Sequence, residues 1–208
     1  DIDISLTTRE LCRMIKSAGI DFRNLPDEEH VDSLLGDYTG AGTIFGVTGG
    51  VMEAALRTAH WALTKGQLPS MELTPIRGLD GVKEATLQVA GKEVRVAVAH
   101  CMGNIEKVLA KVREARAKGQ ETPYHFIEVM ACRGGCVGGG GQPYGATDEI
   151  RQKRSAGIYR DDEKSVFRCS HDNPMVKKLY EDFLGAPLGK KSHHLLHTGY
   201  NKRKIYKR

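Results

Sequence analysis

The residues of this sequence best suited to metal chemistry lie in one short stretch, 126–143, which reads FIEVMACRGGCVGGGGQP. Cys132 and Cys136 are spaced so that one helical turn would place both sulfurs on the same face. Four consecutive glycines follow, and Pro143 closes the stretch. Thiolates prefer soft metals, and glycine lets a backbone approach a bound group closely. The stretch therefore predicts half of a metal or cluster site.

Three other interpretations of these residues need no cluster. The cysteines can be small buried hydrophobic residues beside a flexible glycine loop. A disulfide between Cys132 and Cys136 is disfavoured, because five cysteines in 208 residues is an odd number and not the pattern of a secreted disulfide scaffold. Either cysteine could also act as a nucleophile with His100 or His125 as its base, although the sequence favours no particular pair.

Two histidines farther along the chain offer a different metal. His193 and His197, together with Cys132 and Cys136, make a set of two imidazoles and two thiolates, which suits zinc. The separation between the pairs is much longer than in a zinc finger, and the glycine run is not a zinc knuckle. A structural zinc site in an interaction module is the alternative to an enzyme.

Residues 128–140, EVMACRGGCVGGG, resemble the third cysteine signature of the FeFe (iron-only) hydrogenases. A second stretch, residues 45–57, reads FGVTGGVMEAALR and is similar to another block of the same family, in the same order. The resemblance extends over essentially the whole chain and corresponds to the C-terminal part of a hydrogenase.

The resemblance implies a role for four residues. Cys132 and Cys136 would ligate the H-cluster, a four-iron four-sulfur cubane joined to a di-iron unit, and the Cys136 sulfur would bridge the two parts. Met130 would pack its thioether against the di-iron unit, and Phe45 would line the same side. The implied activity is the reversible oxidation of H2 to protons and electrons, with the cubane passing electrons onward.

Two further cysteine signatures of the family, of the Thr-Ser-Cys-Cys-Pro and Met-Pro-Cys types, do not occur in this sequence, nor do ferredoxin-like cluster motifs. In the family they supply the other two cubane ligands and a cysteine for proton transfer. We therefore expect this chain to present two of four ligands and to be inactive alone. Its expected partners are the missing N-terminal half, in the same polypeptide or as a separate subunit, and an electron carrier such as ferredoxin or an NAD(P)H-linked subunit.

The cysteines need a scaffold, and the pattern of residues 83–130 predicts one. Residues 83–89 alternate between apolar and polar, residues 94–98 are an apolar strand, and residues 126–130 form another. A helix at about 104–118 separates the last two strands, which predicts a βαβ unit with parallel strands. Cys132 then follows the carboxyl end of a strand, where α/β sheets bind ligands.

His100 and Cys101 end the neighbouring strand. We expect them to lie beside the metal site without ligating it, because Cys-Met-Gly is not a metal motif. Two more cysteines are expected to be incidental: Cys12 as a structural or partly exposed thiol, and Cys169 as an exposed thiol in a charged loop.

Capping signals predict two of the remaining helices, those that begin after Thr7 and after Asn173. Thr7 and Glu10 form a capping box before four residues at helical core spacing, Leu11, Met14, Ile15 and Ala18. The other predicted segments are a helix at 27–35, a glycine loop at 36–50 that fits no phosphate-binding motif, a helix from Val51, a helix at 147–159, a polar turn at 161–163 and a helix begun by Asn173 and Pro174.

The predicted architecture is an α/β fold with a parallel or mixed sheet flanked by helices. Residues 1–145 would form one lobe of the hydrogenase catalytic domain, and residues 146–208 a helical tail like the family's small subunit. Charged residues make up 27% and hydrophobic residues 40%, which is typical of a globular protein. No apolar run approaches the ~20 residues that span a membrane, and the basic last seven residues lack the aromatic pattern of a nucleic-acid surface. Unpaired thiols and a cluster favour a reducing, anaerobic cytoplasm.

Overall fold

A computed structural model describes residues 3–26, 38–70, 72–199 and 201. The helices in this part of the chain are α1 (Thr8–Ser17), α2 (Gly40–Thr43), α3 (Gly50–Thr64), α4 (Met102–Ala117), α5 (Asp148–Lys164), α6 (Pro174–Leu179) and α7 (Lys190–Leu196). The strands are β1 (Val82–Val89), β2 (Lys92–His100) and β3 (Phe126–Met130). The predicted helix at 27–35 lies outside the described residues.

The three strands form one mixed sheet in the order β1-β2-β3. β1 and β2 are an antiparallel hairpin, which turns at Ala90 and Gly91 with positive φ angles of 53° and 73°. β2 and β3 are parallel and are connected by α4, so the predicted βαβ unit is confirmed. The carboxyl ends of β2 and β3 therefore lie side by side, with His100 opposite Met130.

The sheet is covered on both faces, which explains the five consecutive buried residues at the end of β2. Val96 and Val98 pack on one face in a core with Met52 and Leu56 of α3. Their alternating neighbours face the other side, in a core with α4 whose buried members are Ala97, Ala99, Ile105 and Val108. The helices on both faces hold the sheet in place. They therefore fix the positions of the carboxyl ends of the strands and of the residues that follow those ends.

The predicted capping box of α1 is confirmed, but the predicted core face of this helix is wrong. The Thr7 hydroxyl accepts from the Glu10 N–H, and the Glu10 carboxylate accepts from the Thr7 N–H. No residue of α1 is buried, and Leu11 and Met14 are about half exposed. The helix is held through its first turn, where Arg9 donates to backbone carbonyls of the glycine run, and not through its apolar face.

The predicted loop at 36–50 contains α2 and a 3-10 turn at Ile44–Gly46. Helical structure forms here because Thr39 caps α2 by accepting from the Gly42 N–H, and because Gly40 packs against α5. A Cβ atom on Gly40 would lie 2.1 Å from Asp162 Oδ1, so glycine is needed for this approach.

The predicted polar turn at 161–163 is also wrong, since α5 continues through these residues to Lys164. Asp162 is fully buried there, and its carboxylate accepts hydrogen bonds from Arg57 of α3 at 2.7 and 2.8 Å. The predicted starts of the helices at Thr147 and at Asn173 and Pro174 are confirmed. Within the described residues, no helix has the length and apolarity to cross a membrane.

Candidate metal centre

The cysteine loop, residues 132–141, begins two positions after β3 and is shaped by its own backbone. The Gly135 N–H donates to Cys132 O at 3.1 Å, and the Gly139 N–H donates to Cys136 O at 2.9 Å. Cys136 opens a short 3-10 turn, Cys136–Gly138. Both cysteine side chains are exposed. The loop thus holds its peptide chain in a defined turn while presenting two thiols outward.

Two of the loop's glycines are required by close contacts. Gly135 has a φ of +90°, and a Cβ there would lie 2.8 Å from Met130 Sδ and 2.8 Å from the Thr48 nitrogen. A Cβ on Gly138 would lie 2.0 Å from Arg133 O. The Thr48 N–H also donates to Gly134 O at 3.1 Å. The 45–57 block is therefore hydrogen-bonded to the cysteine loop through Thr48.

The start of α1 contacts the far end of this loop. Arg9 Nη1 donates to Gly140 O at 2.6 Å and to Gln142 O at 2.5 Å, and the Arg9 N–H donates to Gly141 O at 3.3 Å. The guanidinium also lies 4.2 Å from the centre of the Tyr144 ring. Arg9 thus satisfies the carbonyls of a glycine run that has no side chains to do so.

Glu128 connects β3 to the 45–57 block, and sequence reasoning assigned it no role. Its buried carboxylate accepts from the Gly49 N–H at 2.6 Å and from the Met52 N–H at 2.8 Å, so it satisfies the start of α3. Burial raises the pKa of Glu128, while those two N–H groups oppose the rise. The only sequence signal was an acidic residue within an otherwise apolar strand.

Lys83 lies in the same row of the sheet, since it pairs with Val98, which pairs with Glu128. Its ammonium group donates to Gly78 O at 2.8 Å and to Thr48 Oγ1 at 3.4 Å. Burial lowers the pKa of Lys83 to about 8, and the nearby Glu128 carboxylate opposes this shift. A cation and an anion are thus both buried beneath the cysteine loop.

His100 and Cys101 lie beside the cysteine loop, as predicted. The Cys101 N–H donates to Met130 O at 3.0 Å, at the point where β3 ends. His100 is buried, with Nε2 3.1 Å from Leu79 O and Nδ1 3.4 Å from Cys101 Sγ. A proton on Nε2 satisfies Leu79 O and leaves Nδ1 to accept from the thiol. Burial lowers the pKa of His100, which favours this neutral ring.

Phe45 and Met130 occupy different environments. Phe45 is in the 3-10 turn before α3 and is about half exposed, whereas Met130 is partly buried with its sulfur against Gly135. Met130 is therefore placed directly against the cysteine loop. The roles of both residues toward a cluster stay predictions.

The four residues predicted as an alternative zinc set do not come together. Across the described ranges, the one group of three or more candidate ligands within 4.8 Å of one another is Cys169, His171 and Asp172. His193 and His197 instead stack on each other, with ring centres 4.4 Å apart. The zinc alternative therefore has no assembled site in this part of the structure.

The prediction that Cys169 is exposed is wrong, because the side chain is buried. Its neighbours in the chain contact the surrounding helices. Arg168 donates to Asp162 Oδ2 at 2.6 Å, and the His171 ring stacks on Trp61 of α3 at a centre-to-centre distance of 4.5 Å. Through these contacts residues 168–171 pack against α3 and α5, and this packing buries the Cys169 thiol.

A buried charge network joins α3 to α5. Arg57 Nη2 donates to Glu53 Oε1 at 2.6 Å and Arg57 also binds both oxygens of Asp162. Arg77 donates to both Glu53 oxygens, at 2.7 and 2.9 Å. With Arg168, these residues form a chain of paired charges from α3 to α5. The network attaches the predicted tail to the lobe that carries the cysteine loop.

Comparison with known proteins shows one family that matches most of the chain, including both cysteines of the cysteine loop. The family model described as "Iron only hydrogenase large subunit, C-terminal domain" matches residues 1–140, and the model described as "Iron hydrogenase small subunit" matches residues 148–203. The chain belongs to the iron-only hydrogenase family. The predicted family and the predicted α/β fold are confirmed, whereas the division at residue 145 stays a prediction.

Several individual proteins are similar over nearly the whole chain. The NADP-reducing hydrogenase subunit HndD of Solidesulfovibrio fructosivorans is 49% identical over 98% of this chain and 34% of that protein. A variant FeFe-hydrogenase from Chlamydomonas reinhardtii superposes with a TM-score of 0.72 and 41% identity, over 96% of this chain and 55% of that one. Protein NAR1 of Arabidopsis thaliana is 31% identical over 97% of this chain and 42% of that protein. The chain thus spans between a third and a half of the length of these curated relatives.

Proposed function

We propose that this chain supplies Cys132 and Cys136 as two of the four cysteine ligands of an H-cluster in an FeFe hydrogenase, which interconverts H2 with two protons and two electrons. The observation that carries the proposal is the cysteine loop itself. Two exposed thiols follow the end of a parallel strand on a backbone turn that glycine alone permits. Family membership and 49% identity to a hydrogenase subunit support the same assignment.

The donor set fits part of such a cluster. A four-iron cubane takes four thiolates, and the loop offers two. Among the described residues no third candidate ligand joins them in a metal-binding group. The remaining ligands are therefore expected from another segment, which is why we propose that the chain is inactive alone and works with an upstream half.

The chain's own residues would hold and shield the cluster. Cys132 and Cys136 would bind it, and the backbone bonds within the loop fix the path of the peptide chain that carries both thiols. Met130 places a polarisable thioether next to the loop, and Phe45 adds an exposed aromatic surface, so both would exclude water from the di-iron side. When bound, the cluster supplies the redox chemistry of H2.

The electrons released from H2 require an acceptor outside this chain. Ferredoxin and an NAD(P)H-linked subunit are both suitable carriers, and the description of HndD as NADP-reducing supports the second. We place the assembled enzyme in an anaerobic cytoplasm, because exposed thiol ligands and their cluster require reducing conditions.

A role in iron–sulfur cluster assembly is the second candidate. Relatives described as NAR1 and as "Cytosolic iron-sulfur assembly component 3" are 30–31% identical over 97% of this chain. The hydrogenase relatives are closer, at 42–57% identity. The identity difference favours the hydrogenase function, and H2 turnover by the assembled protein distinguishes the two.

The first test is an anaerobic iron count. The chain would be co-expressed with the upstream segment of HndD and with proteins that mature the cluster, as wild type, as Cys136→Ser and as Cys12→Ser. Cys12 is an exposed thiol on α1 and serves as the matched control. We expect iron and H2 turnover in the wild type and in Cys12→Ser, and loss of both in Cys136→Ser.

Other outcomes of this experiment would reject the proposal in different ways. Iron that depends on Cys136 without any H2 turnover would favour the assembly function. H2 turnover by the 208-residue chain alone would contradict the requirement for an upstream half. Equal iron content in all three proteins would show that Cys136 is not a ligand of the cluster.

A further inference from the structure

Residues 169–172, here called the Cys169 turn, gather three metal-binding side chains outside the cysteine loop. Cys169 precedes a 3-10 turn, Ser170–Asp172, and the Asp172 N–H donates to Cys169 O at 3.1 Å. With three residues per turn, side chains three positions apart lie on the same side. The Cys169 sulfur, a ring nitrogen of His171 and a carboxylate oxygen of Asp172 all lie within 4.8 Å of one another.

His171 is held in place by two contacts from α3. Its ring stacks on Trp61 at an interplanar angle of 16°, and Nδ1 lies 3.1 Å from Thr58 Oγ1. The side chain is only 8% exposed. If Nδ1 carries the proton, it donates a hydrogen bond to the Thr58 hydroxyl. This tautomer leaves the lone pair on Nε2, as in histidines that bind metals.

The Nε2 atom of His171 is buried and has no hydrogen-bond partner among the residues that the structure describes. Asp172 Oδ1 lies 3.7 Å from it. Buried polar atoms in folded proteins are nearly always satisfied, so an orphan nitrogen beside a carboxylate, on a residue clustered with a thiol, indicates a missing ligand.

We infer that the Cys169 turn binds one divalent transition-metal ion, with Cys169 Sγ, His171 Nε2 and an Asp172 carboxylate oxygen as its ligands. A thiolate, an imidazole and a carboxylate suit Zn2+. Three protein ligands leave the fourth tetrahedral position for water or another small ligand. Asp172 is the most exposed of the three, so its carboxylate can rotate to shorten the distances between donors.

A groove adjoins the Cys169 turn. His171 lines this largely apolar groove of about 670 Å³, which lies between α3 and residues 176–187. Arg57 and Arg168 are each bound to the Asp162 carboxylate. Lys177 lines the same groove as His171, and its positive charge opposes a bound cation, whereas the negative charges of a Cys169 thiolate and of the Asp172 carboxylate attract one.

The site is testable with Zn2+ alone. The 208-residue chain would carry Cys132→Ser and Cys136→Ser, so that the cysteine loop cannot compete for the metal. After treatment with a chelator, Zn2+ would be titrated by calorimetry, and Co2+ by the absorption band that a cobalt–thiolate bond produces. We expect one ion per chain and the thiolate band.

Three further variants in this background identify the ligands. Cys169→Ser should abolish the Co2+–thiolate band, and Asp172→Asn, at a partly exposed side chain, should weaken Zn2+ binding without disturbing the fold. Thr58→Val removes the Nδ1 acceptor and should weaken binding by about tenfold to a hundredfold. Cys12→Ser is the control and should change nothing. Circular dichroism would check that each variant is folded.

The inference fails if the chain binds no Zn2+, or if Zn2+ binding is unchanged in folded Cys169→Ser and Asp172→Asn. It also fails if Cys12→Ser removes the thiolate band. Because the cysteine loop is disabled in every protein tested, none of these results bears on the proposed hydrogenase function.

Discussion

In the cysteine loop both thiols are exposed, and hydrogen bonds of the peptide backbone stabilise the conformation. In the Cys169 turn the thiol is buried, and side-chain contacts stabilise the conformation. The loop is held by bonds between neighbouring peptide groups and by glycines that leave room for close approach. The turn is held by an arginine–aspartate pair and by a histidine stacked on a tryptophan from another helix.

This difference teaches how two kinds of cysteine site are recognised. A backbone-built loop leaves its signature in consecutive residues, because each glycine is required at its own position. A turn built by side chains depends on partners elsewhere in the chain, so its four residues resemble an ordinary polar loop. The comparison predicts that the two regions respond to different kinds of substitution.

The largest effect is expected from Arg57→Ala in the buried charge network beneath the Cys169 turn. The change leaves the fully buried carboxylates of Glu53 and Asp162 without a shared cation. Removing one partner from a buried ion pair lowers the free energy of unfolding by about 3–5 kcal/mol. Urea denaturation of the wild type and the variant measures the difference.

The matched control is Arg113→Ala, which removes an exposed ion pair with Glu106 on the surface of α4. Exposed pairs contribute little, so this variant should unfold at nearly the same urea concentration as the wild type. Equal destabilisation by the two substitutions would show that the buried network does not stabilise the junction.

A smaller effect is expected from Gly138→Ala in the cysteine loop. The added Cβ would lie 2.0 Å from Arg133 O, so the backbone must move. Steric strain of this kind lowers the free energy of unfolding by about 1–3 kcal/mol. Gly140→Ala is the control, because a Cβ at that position meets no atom within 4 Å. If both alanine variants are as stable as the wild type, backbone packing does not define this loop.

The third effect is a dependence of stability on pH that comes from Lys83, beneath the cysteine loop. Burial lowers its pKa from 10.5 to about 8, so the folded protein releases this proton near pH 8 while the unfolded chain keeps it until about pH 10.5. The unfolded state binds more protons in that window, and Lys83 therefore makes stability rise with pH.

Urea denaturation at several pH values between 8 and 10.5 tests this, with Lys83→Met as the comparison. The free energy of unfolding of the wild type should rise relative to that of the variant across this range. Tyrosines and other lysines titrate in both proteins, so the difference isolates Lys83. A difference that stays constant with pH would mean that Lys83 is not buried as a charged group.

Much of the scaffold could be predicted because its signals are local. The strand at Phe126–Met130 was predicted with the correct ends, since an apolar run bounded by polar residues and two cysteines allows few alternatives. Thr7 and Asn173 were recognised as helix caps because a cap bonds to a peptide group two or three residues away.

The errors occurred where a residue's surroundings come from distant parts of the chain. Leu11 and Met14 have core spacing but remain exposed, because periodicity indicates an apolar face without indicating what covers it. Asp162 looked like part of a surface turn, yet its partner Arg57 lies 105 positions earlier. Glu128 and Cys169 were assigned no role for the same reason.

The sequence by itself determined the family, the βαβ unit and the position of two thiols at the end of a strand, because all three depend on residue types at short, regular spacing. Only the tertiary structure decided which charges are buried, which helix face stays open and that Cys169, His171 and Asp172 face one another against Trp61. Burial and pairing are properties of whole surfaces brought together by folding, and no local pattern of residues encodes them.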